Sequence, residues 1–430
     1  MVLLALDKKS LQKMINVLQE YCSEWGLSVN TDKTAILIFN PSGKLLNESK
    51  TFLYDGVPLP AVKQYCYLGI CFTASGSLAR AQSLLQQKGL RAYFGMKKFI
   101  DPSSIAKEAA FKLFDSLIAP VVGYGHQIWI PYTHGWNLTH ETPTEKDSSS
   151  VLLSKSATDP IERLHLSYLK WITRLPKRVS NAPIWGDCGR YPIAVTLVKS
   201  TINYLNRLIL LDSEDSEKLV RHAYLEQKNT KLGWYSAVSS LSTTNDPESG
   251  PDGRYIYPNS TLCRTRSEEK FRTIWDEARK ENRKLVFYNQ IKPEFGLEHY
   301  IDACKSYSCR NISLIRTSSH GLSVETGRYR AKRLSPHNRC CPSCTDPASL
   351  ELLVELPYRE EFILEDEGHL LSTCPNYTRI REAASASLRN VLANGDFDKL
   401  FQEQLAAETG TLLGKMFTLR FPDRAKIRKS

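Results

Sequence analysis

The stretch Met1–Asn40, MVLLALDKKSLQKMINVLQEYCSEWGLSVNTDKTAILIFN, decides how the chain begins to fold. Val2 to Leu6 is a short apolar run that predicts a buried strand. Asp7 then offers a helix N-cap. Leu11, Met14, Ile15, Leu18, Cys22 and Trp25 recur at helical spacing until Gly26 supplies a stop. Leu27 to Val29 and Ala35 to Phe39 predict two strands around the turn at Asn30 to Lys33. Phe52 to Tyr54 and Val57 to Leu59 flank Asp55-Gly56 as a hairpin, and Tyr65 to Phe72 predicts one further strand. The order describes one helix laid on a small sheet.

Beyond Leu78 the apolar spacing turns helical, over Leu78–Phe99, Ser104–Ala119, Ile161–Leu175, Ile193–Leu211 and Glu268–Tyr288. The expected class is therefore α+β, a small sheet with one packed helix followed by a mostly helical body and a small C-terminal module. Residues 133–160 and 227–267 are polar and read as linkers, the second loop-rich. Phe111 to Pro131 is the longest apolar stretch, but Lys112, Asp115, Pro120, His126 and Gln127 interrupt it. It predicts a buried helix and a turn, not a membrane span.

A net charge of +11 and a pI of about 9.0 over 430 residues suit a polyanionic partner, RNA or DNA, and no membrane. Eleven cysteines is an odd number, and Cys22, Cys66, Cys71, Cys188, Cys263, Cys304 and Cys309 lie scattered in segments of core character. That usage excludes a disulfide framework and predicts an intracellular home, nucleus or cytoplasm. Met1 to Leu6 has no basic segment before it and does not read as a signal peptide.

Chemistry concentrates between Arg328 and Arg381. Cys341-x2-Cys344 is followed after 24 residues by His369-x4-Cys374. Three thiols and an imidazole can close a tetrahedral Zn²⁺ site with no position open for substrate. Such a site contributes folding energy and carries out no reaction. Cys340 competes with Cys341 as a ligand, and buried thiols beside a satisfied histidine are the alternative. Arg328, Arg330, Lys332, Arg333 and Arg339 would ring the module with positive charge suited to RNA or nicked DNA.

Several segments carry a resemblance: Met1 to Ala5, Tyr21 to Leu27, Asn30-x-x-Lys33-Thr34, Tyr67-Leu68-Gly69, Tyr124-Gly125, Gly189 to Pro192, Arg316 to His320, Glu325-x-Gly327-Arg328-Tyr329 and Cys374 to Arg381. They resemble the C-terminal portion of the reverse transcriptase of non-LTR (LINE-type) retrotransposons. The resemblance implies a palm remnant over 1–75, thumb-like helices over 76–132, the linker 133–160, a thumb extension over 161–226 and the linker 227–267. A helical connector over 268–327, a zinc-binding module over 328–381 and C-terminal helices with a basic tail over 382–430 complete it. The tail is too short for the restriction-like nuclease of some relatives.

In that family a Tyr-x-Asp-Asp motif stands just before the strand matched by Val2 to Ala5, and this sequence starts after it. The aspartates that hold two Mg²⁺ ions are thus not in the chain. The resemblance implies a truncated reverse-transcriptase-like protein with no catalytic residue of its own, in which Mg²⁺ matters only with an upstream part. Lys33 matches the lysine that assists pyrophosphate, and Tyr67, Leu68 and Gly69 match the primer grip. Lys97, Lys98, Arg163, Lys170 and Arg174 fall in the region that holds a template-primer duplex by its backbone. With Arg328, Arg330 and Arg333 they are the residues expected to touch nucleic acid. Two alternatives stand beside this reading: an incomplete gene model of an active RNA-directed DNA polymerase, and a retained RNA- or DNA-binding module.

Overall fold

The computed structural model describes residues 1–45, 52–139, 148–213, 219–230, 233–241, 258–303, 306–329, 333–352 and 362–422. Helices predominate, with a few short strands, as the α+β expectation has it. Two compact units divide the chain, Met1–Lys88 and Gly89–Ser430. Among the described residues no helix is long and apolar enough to cross a membrane.

In the first unit α1 (Lys8–Glu24) starts at Asp7, whose carboxylate accepts from the Ser10 amide at 2.9 Å and its hydroxyl at 2.7 Å. Ile15 and Cys22 are buried, with Leu11 and Leu18 partly so. Met14, Val17, Tyr21 and Trp25 form a second apolar stripe that stays between 41% and 66% exposed. The strands are β1 (Ile36–Leu37), β2 (Leu53–Tyr54), β3 (Val57–Pro58), β4 (Ala61–Val62), β5 (Gln64–Tyr67) and β6 (Ile70–Thr73). They form three two-stranded pieces: β1 parallel to β4, β2 antiparallel to β3, β5 antiparallel to β6. Ile15, Ile36, Phe52, Tyr54 and Leu59 make the core between them and α1.

Strands this short need help from side chains. Gln12 supplies both halves of a ladder bond, donating to the Leu53 carbonyl at 2.8 Å and accepting its amide at 2.9 Å. Gln19, two turns on, does the same for Asp55: its side-chain NH₂ reaches Oδ1 at 2.9 Å and its carbonyl accepts the Asp55 amide at 3.0 Å. The helix thereby satisfies an edge that would otherwise stay open for pairing.

The sequence expectations need correction at three places here. Val2 to Leu6 is not a strand; no described segment pairs with it, and Leu6 is fully exposed. Leu27 to Val29 is likewise unpaired. Tyr65 to Phe72 is a hairpin and not one strand, because Leu68 and Gly69 take φ of +46° and +86° as the two central residues of a type I′ turn. A leucine there gives the sequence no turn signal.

The second unit is helical, beginning within α2 (Ala79–Lys97) and continuing as α3 (Lys107–Leu113), α4 (Ala119–Val122), α5 (His126–Trp129), α6 (Ser149–Ser156), α7 (Pro160–Ile172), α8 (Asn181–Cys188), α9 (Ile193–Ser213), α10 (Leu219–Lys228) and α11 (Trp234–Ser239). Then follow α12 (Ser260–Glu281), α13 (Val286–Ile291), α14 (His299–Ala303), α15 (Ser306–Arg316), α16 (Ser323–Thr326), α17 (Pro347–Leu352), α18 (Thr378–Glu382), α19 (Ala386–Asn394) and α20 (Glu403–Arg420). α12 packs on α6 and α9, and α15 on α20.

Polar composition hides buried structure in both expected linkers. Trp136 and Leu138 are buried, the Trp136 indole donates to the Ala237 carbonyl at 3.0 Å, and the Ser149 hydroxyl of α6 donates to Glu277 of α12 at 2.6 Å. In 227–267, Trp234 and Val238 of α11 are buried, and the Trp234 indole donates to the Gln127 carbonyl at 2.6 Å. Residues 140–147 and 242–257 lie outside the described ones.

Two buried acids organise this unit. Glu162 accepts from the Trp185 indole at 2.9 Å and the Ile193 amide at 2.7 Å, and pairs with His165 at 3.0 Å, so one carboxylate joins α7, α8 and the start of α9. Asp187 is held by Arg316 through a pair of hydrogen bonds of 3.1 Å and by the hydroxyls of Tyr288 at 3.0 Å and Tyr300 at 2.8 Å. Burial alone would raise the Asp187 carboxyl, but Arg316 and Lys292 hold it below the usual carboxylate range.

Candidate metal centre and basic surface

Cys341 and Cys344 sit on one tight knuckle, in which the Cys341 carbonyl accepts from the amides of Cys344 at 3.1 Å and Thr345 at 3.0 Å. His369 to Thr373 forms a single wide helical turn closed by the Cys374 amide on the His369 carbonyl at 2.9 Å. That turn brings the two ends of His-x4-Cys back together. The halves meet through a short antiparallel bridge, the Cys341 amide donating to Ile363 at 2.8 Å and the Glu365 amide to Arg339 at 3.0 Å.

The donor atoms of Cys341, Cys344, His369 and Cys374 all lie within 4.8 Å of one another. The sulfur of Cys374 is 3.8 Å from those of Cys341 and Cys344, and Cys344 Sγ is 3.4 Å from His369 Nε2. Donors arranged tetrahedrally at about 2.3 Å (sulfur) and 2.0 Å (nitrogen) from one ion stand about 3.8 Å and 3.5 Å apart. The quartet therefore has the size of a metal-ion shell and can hold one. His369 Nδ1 lies 2.9 Å from Thr373 Oγ1, and with an ion on Nε2 it would carry the hydrogen and donate to that hydroxyl, orienting the ring as outer-shell partners of metal-bound histidines do.

Cys340 is excluded from the quartet: its thiol turns to the His337 carbonyl at 3.8 Å and packs with Leu334 and Phe362. Electrostatics favour a cation. Burial works to raise the Cys341 thiol, yet hydrogen bonds from His369, the Ser343 backbone and Cys344 bring it to about 7. Cys344 is pushed up to about 12, first by burial and then by Cys341. Without a cation the thiols compete for one negative charge; a divalent ion lets them all ionise.

Two acids attach this cluster to the helical body. Glu365 accepts from the Ser323 amide at 2.6 Å and hydroxyl at 2.7 Å and pairs with Arg420 of α20 at 2.5 Å. Glu367 holds His320 at 2.9 Å and the Ser318 hydroxyl at 2.7 Å. The Arg316 to His320 segment thus has a structural role that the sequence alone did not assign.

The expected nucleic-acid residues fare unequally. Lys97, at the end of α2, lies 5.3 Å from the Tyr93 ring, 5.9 Å from Phe94 and 5.4 Å from Trp171 of α7. Lys98, Arg163 and Arg174 are exposed, and Arg174 pairs with Asp101 at 3.3 Å, so the ends of α2 and α7 come together. Phe94 and Phe99 on the same α2 end are 54% and 88% exposed. Lys170 is not on the polar side of α7. It is buried, and its ammonium donates to the carbonyls of Lys177 at 3.0 Å and Val179 at 2.7 Å and to Asn181 at 2.8 Å. Burial pushes it down to about 8, at the wall of a cavity of about 400 Å³. Capping the chain after α7 leaves it no free donor for a phosphate.

Arg328 pairs with Glu325 at 3.3 Å and donates to the Arg283 carbonyl at 3.1 Å; Arg333 is exposed, and Arg330 lies outside the described residues. In the first unit Lys33 is exposed on its turn, with its carbonyl accepting from the Tyr65 hydroxyl at 3.0 Å. Tyr67, Leu68 and Gly69 form the end of the β5–β6 hairpin, Leu68 at 73% exposure.

Among known proteins the chain is similar to an uncharacterized transposon-derived protein of Caenorhabditis elegans, 25% identical over 291 residues that span 62% of this chain and 90% of the relative. No protein-family profile matches the chain. No solved structure matches it either.

Proposed function

We propose that this chain is a transposon-derived nucleic-acid-binding protein, related to the C-terminal part of a non-LTR retrotransposon reverse transcriptase and carrying a structural Zn²⁺ at Cys341, Cys344, His369 and Cys374. The distant transposon-derived relative supports the origin, and the thiol-rich donor set supports zinc over harder ions. The observation that carries the binding is the meeting of Lys97, Lys98 and Arg174 with Phe94 and Trp171 at the ends of α2 and α7. Lysine and arginine neutralise phosphates, and exposed rings stack on unpaired bases, each worth about 1–3 kcal/mol. The partner is RNA or DNA.

Fluorescence anisotropy with a labelled oligonucleotide across a salt series tests this. Affinity is expected to fall steeply with salt, and Lys97→Ala with Lys98→Ala to flatten the log–log slope by about one for each phosphate left without its lysine. Binding that ignores both salt and these substitutions would sink the reading. The same preparation, given primed RNA, dNTPs and Mg²⁺, is expected to extend nothing, since the sequence holds no Tyr-x-Asp-Asp pair of aspartates. Measurable synthesis would refute that part.

A further inference from the structure

β5 and β6 set Cys66 directly opposite Cys71. The phase of their hydrogen bonding follows from the turn, because a two-residue loop closes on the bonded pair Tyr67–Ile70. Four residues further along each strand, the Ala74 amide donates to the Lys63 carbonyl at 2.9 Å in the same alternation. Cys66 and Cys71 therefore form a non-hydrogen-bonded pair, the closer kind, with Cα atoms about 4.5 Å apart. A disulfide spans Cα separations of about 4.4–6.8 Å. Directly opposed residues also share one face of the ribbon.

The two thiols differ in access. Among the described residues Cys66 is the one exposed cysteine, whereas Cys71 is 1% exposed. Burial raises the Cys71 thiol to about 11, the adjacent Cys66 thiol adds to the rise, and Arg80 opposes it. One sulfur meets reagents from solvent; the other is sheltered beside it.

We infer that Cys66 and Cys71 are a reversible cross-strand disulfide site, oxidised by small-molecule disulfides such as glutathione disulfide. The Cys66 thiolate attacks one sulfur of glutathione disulfide, forming a mixed disulfide and releasing one glutathione thiolate. The Cys71 thiol then gives its proton to solvent and attacks Cys66 Sγ, which releases the second glutathione. Two protein thiols are oxidised and one glutathione disulfide is reduced to two glutathiones; the reverse sequence restores the thiols. The closed ring pins the Leu68-Gly69 turn, where Leu68 occupies a left-handed conformation that L residues rarely adopt.

The full-length chain, kept in zinc, is equilibrated with glutathione buffers of rising disulfide fraction, alkylated with N-ethylmaleimide and digested with trypsin. Both cysteines fall in one peptide, Gln64–Arg80. This peptide is expected to pass from a doubly alkylated form to an unalkylated one lighter than the dithiol by two hydrogens, and dithiothreitol reverses the change. Cys71→Ser is expected to stop at a glutathione adduct on Cys66. A wild-type peptide that accumulates glutathione while Cys71 stays alkylated overturns the inference. So does one that remains doubly alkylated in fully oxidised buffer. The wild-type protein alone decides the matter, so an ill-folded variant does not blur it.

Discussion

Stripping the metal from the quartet of Cys341, Cys344, His369 and Cys374 is expected to unfold the segment from Leu334 to Arg381 while the helices before it persist. The apolar cluster between the Cys341 knuckle and the bridge strand is small, Leu334, Cys340 and Phe362 with Leu350 at its edge. Structural zinc supplies about 10–16 kcal/mol of apparent binding energy in small modules, which is folding energy where no preformed site exists. Metal analysis of the purified chain should find one zinc per molecule. Cys341→Ser, Cys374→Ser and His369→Ala should each abolish it, and amide exchange at Cys341, Glu365 and Cys374 should rise to that of an open chain. Cys340→Ser should keep its metal. Equal zinc content in Cys340→Ser and Cys341→Ser would contradict the assignment.

The second large effect is expected at the Asp187–Arg316 pair, with side chains only 4% and 0% exposed. Removing one member of a buried, hydrogen-bonded pair leaves an uncompensated charge, at a cost of about 3–5 kcal/mol. Urea unfolding of Asp187→Asn or Arg316→Met should show losses of that order. The double variant should lose less than the sum, since neither charge is then stranded. Single losses under about 1 kcal/mol would place the strength of the unit elsewhere. The Asp187 carboxyl is depressed in the folded state. Its contribution is therefore complete above the unfolded value of about 3.9 and is lost as pH falls through the lower folded value.

The grouping of Cys341, Cys344, His369 and Cys374 was legible in the sequence because its information is local: residue types that few other roles use, at spacings one turn can close. The choice between Cys340 and Cys341 was not local. It is made by the bridge from Cys340 to Leu364, which turns one thiol to the apolar cluster and the next to the ion site. Lys170 was misread, and Glu162 passed unnoticed, for a general reason: periodicity assigns charged side chains to solvent, and here a helix turns two of them inward to saturate backbone and indole groups. Arg316 did leave a trace, a guanidinium directly after Ile312, Leu314 and Ile315, which if buried demands an acid beside it. Which acid could not be read, since Asp187 lies 129 positions away. The missing N-terminal strand failed for want of a partner; an apolar run states a preference for burial and says nothing of what will bury it.

That distance of 129 positions also sets a clock. During synthesis at about 5–20 residues per second, Asp187 leaves the ribosome on the order of ten seconds before the guanidinium that must meet it. Through most of that interval Tyr288 and Tyr300 are absent too, and α8 has its contact with α7 through Glu162 and Trp185 but no partner for Asp187. The helices before α15 can pack on one another in that time, whereas the buried carboxylate of Asp187 gains its charge partner only when α15 arrives.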